Sequence, residues 1–298
     1  MGEVIPQAVA APACLMCGGL QHRRVFTEHG TDICRCRNCG HVFSSYPANP
    51  HHDGYWGEEV EETDHVYWKT ARLPMYGDFF KRFIAERSGR LLDMGCGLGF
   101  FVKAMAAHPT WEAHGCEISP AAVRYAREKL GLRNVSAGRL EEAELPDGSF
   151  DLITMWDVID HIPRPDPVLR RCHALLRDDG RLFLRAPNIT VQLPRAWLNR
   201  LVRGMRPGVT YLQARDHAHH YSASSLTRLL LRNGFSSIEL LHLRPVGSVS
   251  TRNRWLRQGV KNLGFEAVRA LAFVSGGRLN LDNLFVVARK GADTRGVT

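Results

Sequence analysis

The segment of residues 90–101, R-L-L-D-M-G-C-G-L-G-F-F, constrains the fold of this chain more than any other. An apolar run ends at Asp93, and three glycines at alternate positions, Gly95, Gly97 and Gly99, lead into a helix-like run. Glycine lacks a Cβ, so the backbone there can turn sharply and lie against a ligand. The amides that open the next helix face the same ligand with a partial positive charge. The pattern predicts a strand, a ligand-binding loop and a helix.

A second acidic residue, Glu117, follows Gly95 by twenty-two positions and comes directly after the strand-like residues 111–116. A carboxylate in this place can accept hydrogen bonds from both hydroxyls of a ribose. The dinucleotide fingerprint is G-x-G-x-x-G, whereas the spacing here is G-x-G-x-G. Asp93, just before the glycines, would repel a pyrophosphate but suits the ammonium group of a methionine moiety. These residues favour S-adenosylmethionine over a dinucleotide as the cofactor.

At these residues the chain resembles the class I S-adenosylmethionine-dependent methyltransferases, over roughly residues 88–290. The resemblance implies an α/β fold with a Rossmann-like seven-stranded sheet, helices on both faces and an antiparallel last strand. The alternation of strand and helix patterns after Arg90 independently predicts a parallel sheet of this kind. Beyond Asp93, the three glycines and Glu117, the resemblance assigns cofactor contacts to Cys96, Phe100, Ile118, Leu140, Glu141, Trp156 and Asp157.

Residues 149–162, S-F-D-L-I-T-M-W-D-V-I-D-H-I, form the second distinctive region. They resemble the fourth-strand motif of small-molecule methyltransferases, where the chain leaves the strand and faces both cofactor and acceptor. Ligands of open α/β sheets bind beyond the carboxyl ends of the strands. We therefore expect Asp157, Asp160 and His161 at the reaction centre. Asp160 stands where similar sequences often have glutamate, and its alternative role is to cap the next turn.

Histidine titrates near neutral pH and is the natural general base for a hydroxyl or amine acceptor. His161 is the first candidate for this role. A second candidate group contains His217, His219 and His220, followed by Tyr221. Because similar sequences carry a histidine and an aromatic residue near the acceptor in this region, we expect His219 or His220 to orient the acceptor.

Two C-x-x-C pairs, Cys14–Cys17 and Cys36–Cys39, are separated by eighteen residues. Two such knuckles can fold over each other and present four thiolates tetrahedrally to zinc. Four thiolates leave no open coordination position, so the zinc is expected to be structural. Cys34 could replace Cys36 geometrically, but only Cys36 keeps the two-residue gap. The alternative is a small apolar knot of reduced cysteines without metal.

These patterns divide the chain into a separate zinc ribbon (1–46), an aromatic helical lid or linker (47–88) and a methyltransferase domain (89–292) with insertions at 189–221 and 246–281. A chain of 298 residues with 44% hydrophobic residues has room for one large and one small domain. The sequence shows no apolar run of about 18 residues and no signal-peptide pattern at its start. Paired cysteines without export signals favour the reducing cytoplasm.

The formal net charge of +9 is concentrated near the C-terminus, where residues 189–282 hold fourteen Lys or Arg against four Asp or Glu. Such an excess can attract phosphates, nucleic acid or an anionic membrane. Residues 252–273 combine basic side chains with an apolar stripe at helical spacing, which fits either peripheral membrane contact or a core helix packed on the sheet. Gly259 and Gly264 lie inside this stripe and weaken the prediction of one continuous helix.

The preferred interpretation is methyl transfer from S-adenosylmethionine to a small or carrier-linked acceptor, at oxygen, with His161 as general base. One alternative is an RNA methyltransferase that uses the zinc ribbon and the basic C-terminal third. Against methylation of a base amino group, the Asn-Pro-Pro-Tyr type of motif is absent from the end of the fourth strand. The other alternative is a non-catalytic binding protein that keeps the cofactor fold.

Overall fold

The structure is a computed structural model that describes residues 13–14, 16–46, 67–247, 254–275 and 281–291. The described residues form a four-stranded and a seven-stranded sheet. In chain order the strands are β1 (His22–Glu28), β2 (Thr31–Cys36), β3 (Val42–Ser44), β4 (Gly89–Met94), β5 (Trp111–Glu117), β6 (Val135–Ala137), β7 (Phe150–Trp156), β8 (Leu176–Ala186), β9 (His219–His220), β10 (Phe235–Leu241) and β11 (Leu284–Lys290).

Helices alternate with the strands of the large sheet, as the sequence pattern predicts. A π-helical turn lies on each side of the first helix, at Tyr67–Ala71 and Phe80–Ile84, and a 3₁₀ turn spans Leu140–Glu142. The α-helices are α1 (Leu73–Phe79), α2 (Phe100–Met105), α3 (Pro120–Glu128), α4 (Pro165–Leu175), α5 (Ile189–Arg203), α6 (Ala223–Arg232) and α7 (Arg254–Val274).

The large sheet has the strand order β10-β11-β8-β7-β4-β5-β6. β4 pairs in parallel with β5 and β7, and β8 continues the parallel part beside β7. β11 runs antiparallel to both of its neighbours, β8 and β10. The chain winds from β4 to β5 on one side and returns to β7 on the other. The crevice at this reversal, beyond the carboxyl ends of β4 and β7, is where such sheets bind ligands.

Serine side chains cap the starts of two α-helices. The side chain of Ser119 accepts a hydrogen bond from the amide of Ala122 at the start of α3. Ser222 caps α6 in a reciprocal capping box with Ser225. A cap of this kind satisfies amides that a helix leaves without intrahelical partners. The two helices therefore begin where their sequence indicates.

The aromatic segment before β4 is packed onto the sheet as a layer of its core. Phe79 of α1 is fully buried, and its ring lies 4.8 Å from that of Phe183 on β8 and 5.3 Å from that of Trp156 on β7. Buried aromatic groups of this size dominate local packing energy. The described part of the predicted lid, residues 67–88, is thus built into the fold, and residues 47–66 lie outside the described residues.

The small sheet contains the ribbon, which we define as residues 13–46 with strands β1, β2 and β3. β9, which belongs to the insertion 189–221, pairs antiparallel with β3. Its two residues, His219 and His220, lie opposite Phe43 and Val42. A short ribbon leaves an unpaired strand edge, and the insertion covers it. The sheet therefore joins the ribbon to the large domain, a connection that spacing alone does not predict.

α7 is one continuous helix of 21 residues in spite of its glycines. Each glycine costs a helix about 1 kcal/mol relative to alanine, which the good helix formers around it offset. The helix is attached through Phe265, which is buried, and through Lys261, whose ammonium donates to the carbonyl of Val246. Among the described residues, every helix is too short or too polar to traverse a lipid bilayer.

Candidate functional site

The glycine loop, which we define as residues 95–99, has the backbone shape that the sequence predicts. Gly95, Gly97 and Gly99 have positive φ angles of 68°, 54° and 81°. A Cβ on Gly95 would stand 2.6 Å from a methyl of Val158, and one on Gly99 would stand 2.7 Å from Leu132. Glycine is therefore required for both backbone angle and space. The loop leads into α2 at the switch point of the sheet.

Two buried carboxylates flank the glycine loop. Asp93 accepts a hydrogen bond of 2.7 Å from the hydroxyl of Thr154, and burial raises the pKa of Asp93 to about 7. Glu117 accepts from the amide of Gly97 at 2.8 Å and from that of Ser119 at 2.9 Å. Each oxygen of Glu117 keeps one lone pair for a further donor. The pair can therefore meet an ammonium group and a ribose, respectively.

The other residues that the resemblance assigns to the cofactor fall into two groups. The side chains of Cys96, Leu140 and Trp156 are buried and support the site from within the core. Phe100 and Ile118 are half-buried, and Glu141 is exposed on the 3₁₀ turn. The cofactor roles of all six residues stay predictions. Only the side chains of Phe100, Ile118 and Glu141 are exposed enough to contact a ligand directly.

Asp157, the first residue after β7, lies between two arginines. Arg72, from the segment before α1, and Arg185, near the end of β8, both contact its Oδ2 atom. Burial alone would raise the pKa of Asp157, but Arg185 and Arg72 outweigh it and hold the pKa below its ordinary value. Within the described part of the chain, Nε of each arginine has no hydrogen-bond partner. Because two guanidinium groups face one carboxylate here, the three side chains together carry a net positive charge and can still bind an anion.

Sequence reasoning missed both arginines. Arg72 lies in a segment whose aromatic residues indicate packing, and its guanidinium is 4.0 Å from the centre of the Trp68 ring. Arg185 follows the apolar residues 182–184 directly. A charged residue at the carboxyl end of an apolar strand was the available signal, because ligands bind at that edge.

Asp160, His161 and His217 form a group that we call the acceptor cluster. Oδ2 of Asp160 lies 3.1 Å from Nε2 of His217 and 3.8 Å from Nε2 of His161. Neither contact has hydrogen-bond alignment, and the Asp160 carboxylate has no hydrogen-bond partner among the described residues. The alternative role of Asp160 as a cap is therefore not observed. Burial lowers the pKa of His217 in spite of the nearby Asp160 carboxylate, so this imidazole is neutral at pH 7.

The orientation of His161 suits a general base. Its Nδ1 lies 3.0 Å from the carbonyl oxygen of Asp216, which can only accept, so Nδ1 carries the proton and Nε2 keeps the lone pair. The side chain of His161 is 23% exposed, whereas that of Asp160 is 2% exposed. The ring of His161 is therefore partly open to solvent, and the buried Asp160 carboxylate lies on its Nε2 side.

His219 and His220 are both buried, and the structure places His219 toward the ribbon. Nδ1 of His219 lies 2.9 Å from Nε2 of His41, and its Nε2 lies 3.2 Å from the carbonyl of Pro163. The ring of His220 lies 5.9 Å from that of His217. Of the second histidine group, His217 is thus the member whose ring contacts the Asp160 carboxylate. Direct contact of His219 or His220 with an acceptor stays a prediction.

The predicted zinc ligands come together in the ribbon. The Sγ atoms of Cys14 and Cys39 are 3.6 Å apart, as are those of Cys17 and Cys36. All four Sγ atoms lie within 4.8 Å of one another. Tetrahedral zinc with bonds of about 2.3 Å separates its sulfur ligands by about 3.8 Å. The four-cysteine set therefore fits zinc, and Cys34 is not part of it.

The sheet, the glycine loop and the flanking carboxylates define a class I S-adenosylmethionine-dependent methyltransferase. A family model described as a methyltransferase domain matches residues 67–240, and the chain belongs to this family. It is similar to the ubiquinone biosynthesis O-methyltransferase of Neisseria meningitidis serogroup C, with 29% identity over 135 residues, which cover 43% of this chain and 56% of the relative. The Pseudomonas aeruginosa enzyme of the same name is 32% identical over 127 residues, 39% of this chain and 52% of the relative. The chain thus spans about half the length of the curated relatives it matches.

Solved structures confirm the fold. Phosphoethanolamine N-methyltransferase 2 of Haemonchus contortus, in complex with S-adenosyl-L-methionine, matches 84% of this chain and 62% of its own, with a TM-score of 0.54 and 16% identity. A SAM-dependent methyltransferase of Archaeoglobus fulgidus matches 76% of this chain and 98% of its own, with a TM-score of 0.50 and 17% identity. At this identity the likeness concerns the fold alone. The predicted methyltransferase sheet and the enzyme class are confirmed, and the non-catalytic alternative is dropped.

Proposed function

We propose that this enzyme transfers the methyl group of S-adenosylmethionine to a hydroxyl oxygen of a small or carrier-linked acceptor. The observation that carries the proposal is the short path from the glycine loop to the acceptor cluster: Val158, which packs against Gly95 of the loop, is two residues from Asp160. Relatives named as O-methyltransferases support oxygen as the acceptor atom. Small sugars, polyketide-like compounds and quinone-type phenols all fit this class.

The cofactor is held by charge complementarity around the glycine loop. Asp93 would meet the ammonium group of the methionine moiety, and Glu117 the ribose hydroxyls. Arg72 and Arg185 would together bind the carboxylate of the methionine moiety, because their two positive charges exceed the single negative charge of Asp157. Bound in this way, the cofactor supplies an electrophilic methyl group. The protein contributes mainly proximity and in-line geometry between methyl carbon and acceptor oxygen.

His161 would act as the general base. Its Nε2 would take the proton of the acceptor hydroxyl as the new oxygen–carbon bond forms and the methyl–sulfur bond of the cofactor breaks, which leaves S-adenosylhomocysteine. The resulting imidazolium keeps its Nδ1–H bond to the carbonyl of Asp216 and is stabilised by the Asp160 carboxylate, 3.8 Å from its Nε2. The His161 imidazolium then releases this proton to solvent. We place this chemistry in the cytoplasm, where reduced cysteines and the cofactor coexist.

We further propose that the ribbon holds one structural zinc ion through Cys14, Cys17, Cys36 and Cys39. The four sulfur atoms have the separation that the ion needs. Structural zinc sites of this type contribute directly to folding energy. The ion would stabilise the two knuckles and take no part in methyl transfer.

Exposed apolar helix faces support a peripheral membrane contact. On α5, Leu198, Leu201 and Val202 are 61%, 84% and 71% exposed, with Arg195 and Arg203 on the same helix and no acidic residue in it. On α7, exposed Leu263 and Val274 accompany its basic residues. Amphipathic basic helices of this kind lie in the plane of an anionic bilayer surface. Such a surface would present a lipid-linked acceptor.

The test is transfer of labelled methyl groups from S-adenosylmethionine by the full chain. The acceptor panel contains catechols and quinols with and without a lipid tail, sugar nucleotides and total RNA. Asp93→Asn is the cofactor-deficient control. Label in a hydroxyl-bearing small molecule supports the proposal. Label in RNA alone, with none in the other acceptors, would establish the nucleic-acid alternative and overturn it.

A further inference from the structure

The ribbon holds the predicted zinc ligands and also contacts the acceptor side of the candidate site. The amide of His219, on the strand shared with the ribbon, donates to the carbonyl of Asp160 at 3.1 Å. The neighbouring strand β3 pairs with it at Phe43. One strand of the ribbon sheet therefore holds the backbone of a member of the acceptor cluster.

A buried carboxylate of the ribbon organises the stretch that leads to His217. Glu28, at the end of β1, is 2% exposed. Its two oxygens accept hydrogen bonds from the amides of Tyr211, Leu212 and Ala214. Bonds from amides to an ionised carboxylate are stronger than neutral ones. They fix the backbone three residues before His217.

Two further contacts connect the ribbon to the same stretch. The hydroxyl of Ser44 donates to the carbonyl of Ala214 at 2.5 Å. His41, two residues after Cys39, lies against His219, whose other ring nitrogen contacts the carbonyl of Pro163. The two rings therefore form a hydrogen-bonded spacer between the ribbon and the loop that follows the acceptor cluster.

The cofactor half of the site is held by other parts of the fold. The amides of Gly95 and Cys96 donate to the carbonyl of Cys116 on β5. Asp93 is held by Thr154 of β7 and Glu117 by the glycine loop itself. These contacts lie within the large sheet, so they do not depend on the ribbon.

We propose that the ribbon is a fixed wall of the acceptor half-site, in which Glu28 and His219 are positioning residues for His217 and Asp160. Zinc in the four-cysteine set would then be required for the geometry of the acceptor cluster but not for cofactor binding. This inference rests on the proposed acceptor role of the cluster. Its test uses no methyl transfer, so an error in the proposed acceptor chemistry would leave the outcome unchanged.

The experiment compares the full chain with Glu28→Ala, Glu28→Gln and the control Arg23→Ala, an exposed residue of the same strand. Three properties are measured: amide hydrogen exchange of residues 209–221, the pKa of the His217 imidazole by NMR, and S-adenosylmethionine affinity by calorimetry. In Glu28→Ala we expect about tenfold faster local exchange or more, as for local opening in other folds, and a His217 pKa that rises toward its ordinary value on solvation. In Glu28→Gln, which keeps one acceptor oxygen, the exchange rate and the His217 pKa should lie between those of the unchanged chain and those of Glu28→Ala.

Zinc removal with a chelator should reproduce the changes of Glu28→Ala, and zinc re-addition should reverse them. Cofactor affinity should stay within about twofold throughout, a difference well below the 1.4 kcal/mol of a tenfold change. Unchanged exchange and His217 pKa in both arms would overturn the proposal. So would a parallel loss of cofactor affinity, which would make the ribbon a general stabiliser. Ser44→Ala, which removes one hydrogen bond, provides the same comparison should Glu28→Ala not fold.

Discussion

Glu117 and Gly97 are joined by a hydrogen bond of 2.8 Å, in which the amide of the glycine donates to Oε2 of the carboxylate. Glu117, which is expected to bind the ribose hydroxyls, thus also fixes the glycine loop, which is expected to contact the rest of the cofactor. The second oxygen of Glu117 holds the amide of Ser119 at the start of α3. Loop, strand end and helix start are therefore one unit, which is set before the cofactor arrives.

Glu117→Ala should weaken S-adenosylmethionine binding by at least about tenfold. The change removes hydrogen bonds from the ribose to a charged acceptor, each worth about 1.5–3 kcal/mol, and about 1.4 kcal/mol already gives tenfold. Calorimetric titration of the folded variant checks it. Glu117→Gln is the matched control and should lose less, because one oxygen still accepts. Unchanged affinity in Glu117→Ala would show that Glu117 does not bind the ribose.

Cofactor affinity should depend on the ionisation of Asp93. Burial raises its pKa from 3.8 to about 7, so without cofactor the carboxyl is mostly protonated at pH 6. The ammonium group of the cofactor needs the charged form. Affinity should therefore fall as the pH decreases through 7, and binding at pH 6 should release a proton.

The proton release is measured by calorimetry in buffers of different ionisation enthalpy. Asp93→Asn is isosteric and cannot ionise, so it should bind weakly and show no release from this position. The same proton release in wild type and Asp93→Asn would assign the ionisation to another group.

The purified chain should contain about one zinc ion per chain, since the four thiolates form one closed site. Cys36→Ser should lose the ion and unfold the ribbon, whereas Cys34→Ser should keep it. Metal retained in Cys36→Ser but lost in Cys34→Ser would contradict the assigned ligand set. A second metal equivalent that disappears in Asp160→Asn would place a cation in the acceptor cluster, whose ligand atoms also lie within 4.8 Å of one another. That result would oppose the role of His161 as general base.

His161→Ala should lower turnover about 10²–10⁴-fold, the usual contribution of a positioned general base. Cofactor affinity should be nearly unchanged, because the glycine loop and Glu117 make no use of this ring. The measurement is turnover at saturating cofactor, with His114→Ala, a histidine of β5 that contacts Glu112, as the control. If turnover barely falls, proton removal belongs to His217 or to solvent.

The sequence predicted the features that depend on local patterns. The glycine loop and the acidic strand end at Glu117 are encoded within a few neighbouring residues. Arg72 is different, because its partner Asp157 is 85 residues away. Which charges meet in a buried site is decided by tertiary packing, and no spacing rule reports it.

The connection between ribbon and insertion was equally hidden. A strand of two residues, His219–His220, has no pattern of its own and forms only because β3 offers an edge. Glu28 likewise looks like an ordinary charge at the end of a polar strand. Its burial depends on amides more than 180 residues further along the chain. Features of this kind follow from packing between elements that are distant in sequence.

Membrane contact should depend on the exposed apolar residues of α5 and α7. We expect the chain to co-sediment with anionic vesicles, to bind neutral vesicles weakly and to lose binding as salt rises, because exposed charges are screened. Leu201→Glu or Leu263→Glu should reduce binding about tenfold or more, since burying one leucine contributes about 1.5–3 kcal/mol.

Leu20→Glu is the matched control, because Leu20 is 77% exposed but belongs to the ribbon and to neither helix. It introduces the same charge change and should leave vesicle binding intact. Equal loss in all three variants would indicate a net-charge effect rather than insertion of two helix faces. Absence of binding to either vesicle type would show that neither helix face is a membrane surface, and an acceptor free in solution would then be the one to seek.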